Sequence, residues 1–367
     1  MKWSWKLGRF AGIDVFMHAT FLLLIGWIAL SHWLQGKSLA ATLAGVGFIL
    51  ALFVCVVLHE YGHALTARRF GIRTRDITLL PIGGLARLER MPDKPMQELW
   101  VALAGPAVNV VIAAALFVWL TLTNGWAPLS QLSVTGGSLA ERLLVANLFL
   151  ALFNLLPAFP MDGGRVLRAL LALRMEYTKA TRTAASVGQG MALLFGLAGL
   201  FFNPFLVFIA FFVWIGAAQE AGSAQMKTSL AGIPVARAMV TDFHTLSVGD
   251  SLSRAVELIL SGSQQEFPVV SGSRIVGILT KKDLLLALAQ RGESQPVSEV
   301  MNREFQLVDS HDMLETVLER LQECRCHTMP VLHGGELVGL VTTENLGEFM
   351  LVQAALGTRS PLRRAAA

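Results

Sequence analysis

Hydrophobic residues in the first 220 positions form long runs without charge, whereas the remainder of the chain mixes apolar and charged positions as soluble domains do. A membrane-spanning helix needs about 20 mostly apolar residues. Runs of that order cover residues 15–35, 38–58, 99–122, 143–161 and 183–219, and Asn203-Pro204 divides the last run in two. The pattern predicts a polytopic α-helical membrane domain of six spans, followed by a soluble α/β region.

The composition supports this division. The 367 residues are 54% hydrophobic and 15% charged, and an ordinary soluble domain is only about 45–50% apolar. The net charge of +4 is carried by short basic segments between apolar runs, which favours a role in membrane orientation and argues against nucleic acid as a partner. Cys55 lies in an apolar run, and Cys324 and Cys326 lie in the soluble region. We expect all three to be reduced thiols.

Lysine and arginine accumulate before the first predicted span, between the second and third, and after the fourth. The positive-inside rule therefore predicts that these loops and both termini are cytoplasmic, in a multi-pass protein of the cell (inner) membrane. A cleaved signal peptide is the alternative for the first run, but that run exceeds the usual apolar length of about 7–15 residues. The basic residues are Lys2, Lys6 and Arg9; Arg68, Arg69, Arg73, Arg75, Arg87, Arg90 and Lys94; and Arg165, Arg168, Arg174, Lys179 and Arg182.

A metal-binding pattern lies at the cytoplasmic end of the second run, which reads His59-Glu60-Tyr61-Gly62-His63. On a helix, the i, i+4 spacing places both imidazoles on one face, where they can bind one zinc ion. Glu60 is then near enough to accept a proton from a water on the metal. The alternative is a pair of polar histidines at a helix end. An ionisable cluster at the end of an apolar helix makes the metal site the stronger hypothesis.

A catalytic zinc ion usually has three protein ligands and an open fourth position. The predicted topology places Asp162, in a Pro- and Gly-rich segment after the fourth run, at the same membrane side as the two histidines. The carboxylate of Asp162 is therefore the candidate third ligand. A helix N-cap is the alternative role for this residue.

The two segments together resemble the site-2 proteases, whose signatures are HExxH in one span and NxxPxxxxDG in a later one. Asn154, Pro157, Asp162 and Gly163 match the second signature, and the resemblance covers about residues 10–220. It implies one zinc ion per chain bound by His59, His63 and Asp162, and Glu60 as general acid/base. It also implies that Asn154 lies close to the catalytic centre and that the substrates are transmembrane segments of membrane-tethered proteins in the lipid bilayer.

Two further segments fit this family. Residues 78–86 are apolar, too short to span a membrane and rich in Pro and Gly, which favours extended re-entrant chain that could pair with an unfolded substrate. A plain interfacial loop is the alternative.

Gly105-Pro106 and Asn109 in the third run are similar to the family's GPxxN. They predict either packing near the zinc site or a simple helix kink with an interhelical hydrogen bond.

The soluble region repeats with an offset of 62 residues, each copy predicted as helix, strand, strand and helix. It resembles a tandem of cystathionine-β-synthase (CBS) repeats over about residues 233–352. In that family the pair often binds an adenine nucleotide such as ATP or AMP, and the corresponding residues here are Thr280 and Asp283 in the first copy and Thr342 and Asn345 in the second. Asn345 departs from the expected Asp. A tandem that serves only homo-oligomer formation or substrate capture is the alternative.

These patterns divide the chain into a transmembrane metalloprotease domain (1–222), a linker (223–232), two repeats (233–291 and 292–352) and a flexible tail (353–367). The predicted function is regulated intramembrane proteolysis by a zinc metalloendopeptidase, modulated by nucleotide binding. A metal or ion transporter gated by the repeats is the runner-up, although the strong polar cluster lies near one membrane face only. A catalytically silent relative that captures membrane helices is disfavoured by the intact Glu60.

Overall fold

The computed structural model describes residues 3–81, 83–92, 94–123, 125, 137–324 and 326–358. It consists of two compact units, Met1–Ser223 and Ala224–Ala367. The first unit is largely helical with one four-stranded sheet, and the second contains two three-stranded sheets covered by helices. Within the predicted tail, the last helix continues to Thr358, and residues 359–367 lie outside the described residues.

The first unit begins with a hairpin rather than a span. Strand β1 (Ser4–Phe10) pairs with β2 (Ile13–His18) through a two-residue turn in which Ala11 and Gly12 both have positive φ, the geometry that suits a tight hairpin. The prediction of helix from residue 15 is therefore wrong for residues 15–18. Val15 instead packs against Ala64 and Ile77 in a small core.

The hairpin is completed into a sheet by two later strands. Helices α1 (Thr20–Leu34) and α2 (Leu39–Arg69) follow, and then strands β3 (Thr74–Leu80) and β4 (Gly83–Leu88). The sheet order is β1-β2-β3-β4, with β2 and β3 parallel and the other pairs antiparallel. Of residues 78–86, predicted as extended chain, 78–80 thus belong to β3 and 83–86 to β4, while residue 82 lies outside the described residues.

Five further α-helices follow among the described residues up to Leu230: α3 (Pro95–Leu122), α4 (Leu139–Asn154), α5 (Asp162–Ala172), α6 (Tyr177–Phe201) and α7 (Phe205–Leu230), the last of which continues past the end of the first unit. Among the described residues, four helices are long and apolar enough to cross a membrane, namely α2, α3, α6 and α7. Helix α1 has 15 residues and α4 has 16, fewer than the roughly 20 that a span needs. The predicted count of six spans is therefore not confirmed. Pro157 and Pro160 lie in the non-helical part of the fourth run, where proline cannot continue a helix.

The second unit contains two repeats of the same order. The first has β5 (Leu246–Ser247), α8 (Leu252–Ser261), β6 (Glu266–Ser271), β7 (Arg274–Thr280) and α9 (Lys281–Arg291). The second has β8 (Val308–Asp309), α10 (Leu314–Cys324), β9 (Thr328–His333), β10 (Glu336–Thr342) and α11 (Thr343–Thr358). In each sheet the short first strand is parallel to the second, and the second and third form an antiparallel hairpin.

The segment that precedes the strands of each repeat packs against the other repeat. Val240, before the first repeat's strands, forms two backbone hydrogen bonds with Leu340, and Asn302 forms the equivalent pair with Ile278, all at 2.8–2.9 Å. These partners are related by the sequence offset of the repeats. Val235 is accordingly buried in the core of the second repeat, and Val297 in the core of the first. The pair is interlocked, because each core is completed by chain that precedes the other repeat.

The cysteines differ from expectation in part. Cys55 is free and buried, but Cys324 and Cys326 are joined by a disulfide at the end of α10. Their Cα atoms lie 5.1 Å apart, within the range that a disulfide can bridge. The expectation of reduced thiols is therefore wrong for this pair.

Candidate metal centre

Helix α2 places the two predicted histidine ligands on one face, one turn apart. The Nε2 atoms of His59 and His63 lie 3.1 Å from each other. Both residues are buried, with 6% and 7% of their surface exposed. The spacing of the sequence motif thus produces two converging imidazole nitrogens at one end of a long apolar helix.

Asp162 is brought to the same point from a distant part of the chain. Its Oδ2 atom lies 3.2 Å from the Nε2 atom of each histidine. Met161, rather than Asp162, is the N-cap of α5, and Asp162 is the first helical residue. Its carboxylate faces the histidines, so the three residues form one compact cluster of potential metal ligands.

This donor set fits zinc. Two imidazole nitrogens and one carboxylate oxygen leave a fourth position open, as catalytic zinc sites require. Zinc bonds of about 2.0–2.1 Å in tetrahedral geometry place the donor atoms about 3.3 Å apart. The observed separations of 3.1–3.2 Å between the three donor atoms are close to that value.

The remaining ring nitrogens of both histidines are held by α3. His59 Nδ1 contacts the side-chain oxygen of Asn109, and His63 Nδ1 lies 2.7 Å from the backbone oxygen of Val101. Because a carbonyl oxygen only accepts hydrogen bonds, each Nδ1 must carry the hydrogen. In the neutral imidazoles both Nε2 atoms then carry a free lone pair for a metal, the arrangement by which neighbouring residues usually orient histidine ligands.

The orientation of Asn109 is fixed by a residue that the sequence analysis did not single out. The Asn109 amide nitrogen donates to Asn147 Oδ1 at 2.8 Å, and Asn147 donates in turn to the Leu143 carbonyl oxygen at 2.8 Å. Both asparagines are fully buried. The sequence signal for Asn147 was a single asparagine within an apolar run. Such a residue inside a membrane needs a hydrogen-bonding partner.

Gly105 creates the space that the two histidines occupy. A Cβ atom on Gly105 would lie 2.2 Å from His63 Nε2 and 2.6 Å from His59 Nε2. A Cβ on Gly62 would similarly lie 2.6 Å from the carbonyl oxygen of Ala104. Helices α2 and α3 therefore approach closely at the level of the cluster, as small residues permit in membrane helices.

The start of α5 is packed just as closely on the chain before it. A Cβ on Gly163 would lie 2.2 Å from the Leu156 carbonyl oxygen, and one on Gly164 would lie 2.6 Å from the Phe159 backbone nitrogen. The Asp-Gly-Gly sequence thus allows the first turn of α5 to pack directly against backbone, which brings Asp162 to α2.

Glu60 lies between the cluster and the sheet. It is half-buried, and its Oε2 accepts a hydrogen bond of 3.1 Å from the backbone N–H of Ala86 in β4. A Cβ on Gly84 would lie only 2.7 Å from Glu60 Cγ. Since β4 is an edge strand, Glu60 contacts the unpaired side of the sheet.

Asn154 is the last residue of α4 and is half-buried. Among the described residues, no hydrogen bond links its side chain to His59, His63 or Asp162. The structure thus brings the three predicted ligands together without a hydrogen bond from Asn154 among the described residues.

The predicted nucleotide residues lie at equivalent positions of the two repeats. Thr280 Oγ1 accepts a hydrogen bond from the Asp283 backbone nitrogen at 3.1 Å and lies 2.7 Å from Asp283 Oδ2. Thr342 Oγ1 accepts from the Asn345 backbone nitrogen at 3.0 Å. Both threonines therefore cap the first turn of the helix that follows, α9 or α11.

Acidic side chains lie near these residues. Burial raises the pKa of the Glu266 carboxyl, against the lowering effect of its hydrogen bond with Thr328, and the carboxylates of Glu344 and Asp283 raise it further. Glu266 and Thr328 are the first residues of β6 and β9, so they occupy equivalent positions of the two repeats.

The fold and the donor set are those of a membrane-embedded, metal-dependent hydrolase joined to a CBS pair. A model of peptidase family M50 matches residues 47–197, and the CBS domain model matches residues 235–290 and 297–351. Zinc metalloprotease MJ0392 of Methanocaldococcus jannaschii is 30% identical over 347 residues, covering 94% of this chain and 96% of that protein. Stage IV sporulation protein FB of Bacillus subtilis is 32% identical over 157 residues, covering 42% of this chain and 51% of that protein.

Among solved structures, the Site-2 Protease from Methanocaldococcus jannaschii is 36% identical, covers 60% of this chain and 95% of that chain, and has a TM-score of 0.45. The chain belongs to peptidase family M50, the site-2 proteases, and carries a tandem of CBS domains. It is therefore a zinc metallopeptidase, and this membership favours the enzyme over the transporter.

Proposed function

We propose that this protein hydrolyses peptide bonds within or next to transmembrane segments of membrane-tethered proteins, with one zinc ion held by His59, His63 and Asp162. The observation that carries the proposal is the convergence of these three buried side chains at one end of an apolar helix. A buried ionisable cluster at such a place is costly unless it has a function.

Each catalytic group has a defined task in this proposal. A bound zinc ion would lower the pKa of water and polarise the substrate carbonyl group. Glu60, one residue from His59, accepts the proton of the attacking water and returns it to the leaving amine. Asn109 and the Val101 carbonyl group hold the two imidazoles in the tautomer that binds metal. Asn154, at the end of α4, is proposed to lie near the substrate rather than to bind the metal.

The edge strand β4 is proposed to hold the substrate. A helical transmembrane segment must be extended before its peptide bonds can be attacked, and an extended strand can add to a sheet edge through backbone hydrogen bonds. Residue Ala86 donates its N–H away from β3, toward Glu60. A substrate strand at this edge would therefore lie beside the proposed general base.

We propose that both termini face the cytoplasm of a cell-membrane protein. Support comes from the arginine-rich segments that flank the apolar helices. With the α2–α3 connection in the cytoplasm, this orientation requires that the shorter helices α1 and α4 cross the membrane together with the four long apolar helices. Single cysteines at Lys94 and Arg174 should react with a membrane-impermeant reagent only from the cytoplasmic side, and the reverse labelling would overturn this orientation.

Loss of a proposed ligand is expected to remove the metal. His63→Ala and Asp162→Ala should each lower the zinc content of the purified protein from one ion per chain to a small fraction, because two remaining donors do not make a catalytic site. Metal analysis by mass spectrometry measures the content directly. Stoichiometric zinc in Asp162→Ala, with proteolysis intact, would contradict the proposed ligand set.

We further propose that the CBS pair binds an adenine nucleotide and thereby modulates proteolysis, with the first copy binding more tightly. An ionised Asp283 can accept two charge-assisted hydrogen bonds from ribose hydroxyls, which are roughly twice as strong as neutral ones. Asn345 offers one neutral carbonyl acceptor. That Oδ1 atom is buried and has no hydrogen-bond partner among the described residues, so the second copy retains one unused acceptor. Modulation requires that the nucleotide bind two states of the protein with different affinities.

Asp283→Ala is therefore expected to weaken nucleotide binding more than Asn345→Ala. Calorimetry of the full-length protein with AMP and with ATP measures the affinities, and cleavage assays with and without each nucleotide measure the modulation. Absence of binding heat with either nucleotide at millimolar concentration would remove the ligand hypothesis and leave the repeats as a docking or oligomerisation module.

A further inference from the structure

A buried arginine lies on the same helix as the third ligand. Arg168 in α5 is one of the basic residues that the sequence analysis assigned to a cytoplasmic segment, yet it is only 2% exposed. Its Nε and one terminal nitrogen donate to Glu98 Oε1 in α3, at 2.7 and 2.5 Å. Its other terminal nitrogen donates to Glu220 Oε1 in α7, at 2.5 Å. A buried arginine requires such charged partners, because an uncompensated ion in this environment is strongly destabilising.

The contacts of Arg168 also reach the segment that delivers Asp162. The guanidinium carbon lies 5.1 Å from the ring centre of Phe159 and 5.1 Å from that of Tyr177. Phe159 is almost fully buried and lies three residues before Asp162. The Arg168 side chain on α5 therefore contacts residues of α3, α6 and α7. It also contacts Phe159, in the segment that leads into α5.

One face of helix α3 contacts both histidine ligands and also Arg168, on the helix that carries Asp162. Glu98, Val101, Gly105 and Asn109 are spaced by three or four residues, so they share one face of the helix. Val101 accepts a hydrogen bond from His63, Asn109 accepts one from His59, and Gly105 leaves room for both. Glu98, one turn before Val101, binds Arg168 on the helix that carries Asp162. The contact between Glu98 and Arg168 thus ties the helix that carries the third ligand to the same face of α3 that holds the first two.

We infer that Arg168, held by Glu98 and Glu220, is a positioning residue for Asp162, and that it sets the metal affinity and ligand geometry of the site. This inference rests on the proposed zinc site. A residue that serves only folding would change the stability of the protein and leave the metal site of the folded fraction unaltered. The two roles therefore differ in a measurable way.

The test compares full-length variants purified in detergent. Arg168→Met combined with Glu98→Gln removes the two most deeply buried charges of the network together, and it leaves only Glu220, whose side chain is 33% exposed, without its partner. Arg168→Lys keeps the charge, but a single ammonium group cannot reproduce the planar, multiply donating fork of arginine. Arg174→Met removes an exposed positive charge just beyond α5 and serves as the matched control.

Two probes report on the site independently of proteolysis. Competition with a chelator gives the affinity for Zn²⁺, and the visible absorption of the Co²⁺-loaded protein reports the ligand geometry. Neighbours that orient ligands typically contribute about 10–100-fold to metal affinity, and we expect a loss in that range for the double variant, a smaller loss for Arg168→Lys and none for Arg174→Met. The cobalt spectrum should change in the first two variants.

Wild-type zinc affinity and an unchanged cobalt spectrum in the double variant or in Arg168→Lys would overturn the inference. If the double variant does not fold, the zinc affinity and the cobalt spectrum of Arg168→Lys decide whether Arg168 positions Asp162. Asp162→Ala, measured alongside, separates this failure from that of the proposed function: loss of metal in Asp162→Ala with wild-type affinity in the Arg168 variants would refute only the positioning role.

Discussion

Replacement of Gly105 by alanine is expected to abolish zinc binding and proteolysis together. The added Cβ would lie 2.2 Å from His63 Nε2 and 2.6 Å from His59 Nε2, far below ordinary van der Waals contact. Either both imidazoles rotate away or α3 moves away from α2, and the second response would also disrupt the hydrogen bonds of α3 with both histidines. We expect a loss of zinc affinity of at least about 100-fold, at the upper end of the effect of disturbed ligand orientation.

The chain offers matched controls for this substitution. Gly47 in α2 and Gly190 in α6 are also helical glycines of apolar segments, and a Cβ at either position would meet no atom within 4 Å. Gly47→Ala and Gly190→Ala should therefore retain one zinc ion per chain, as measured by mass spectrometry. Full zinc occupancy in a folded Gly105→Ala protein would show that the histidines do not occupy this space in the active enzyme.

Glu60→Gln is expected to lose proteolysis while keeping zinc. Glutamine has the length of glutamate and can still accept the hydrogen bond from the Ala86 N–H, so the local packing should survive. It cannot accept the proton of the attacking water. General acid–base catalysis contributes about 10²–10⁴-fold to rates, and we expect the cleavage rate to fall by that range.

Glu89→Gln provides the control for this variant, because Glu89 is exposed and directly follows β4. It should cleave at the wild-type rate. Cleavage by Glu60→Gln within a few-fold of wild type would remove Glu60 from the mechanism, and loss of zinc from Glu60→Gln would instead indicate a structural role.

Local patterns in the sequence predicted which three side chains come together. The i, i+4 histidines and the Asp-Gly pair are short-range signals whose geometry follows from a helix and a tight turn, and the structure places His59, His63 and Asp162 in contact. The burial of Arg168 could not be predicted, because charge counting says nothing about partners, and those of Arg168 are 70 and 52 positions away in the sequence.

Hydropathy also could not distinguish a strand from the start of a span. Residues 15–18 are apolar in either case, and only the Ala11-Gly12 turn and the partner strand β3 determine the strand. In the soluble region the offset of 62 residues revealed the repeats. It could not reveal that the segment before each repeat pairs with the other repeat. The offset between Val240 and Asn302 is the same whether each pairs within its own repeat or with the other one.

The central claim is that this zinc metallopeptidase cuts within the membrane, and mapping of the cleavage products tests it most directly. A single-span protein is reconstituted with the enzyme in lipid vesicles, and the termini of the products are determined by mass spectrometry. The account predicts new termini inside or directly beside the transmembrane segment with the wild-type enzyme, their loss after zinc removal by a chelator, and their absence with Glu60→Gln. Identical products from wild type and Glu60→Gln, or cuts confined to soluble regions of the substrate, would contradict it.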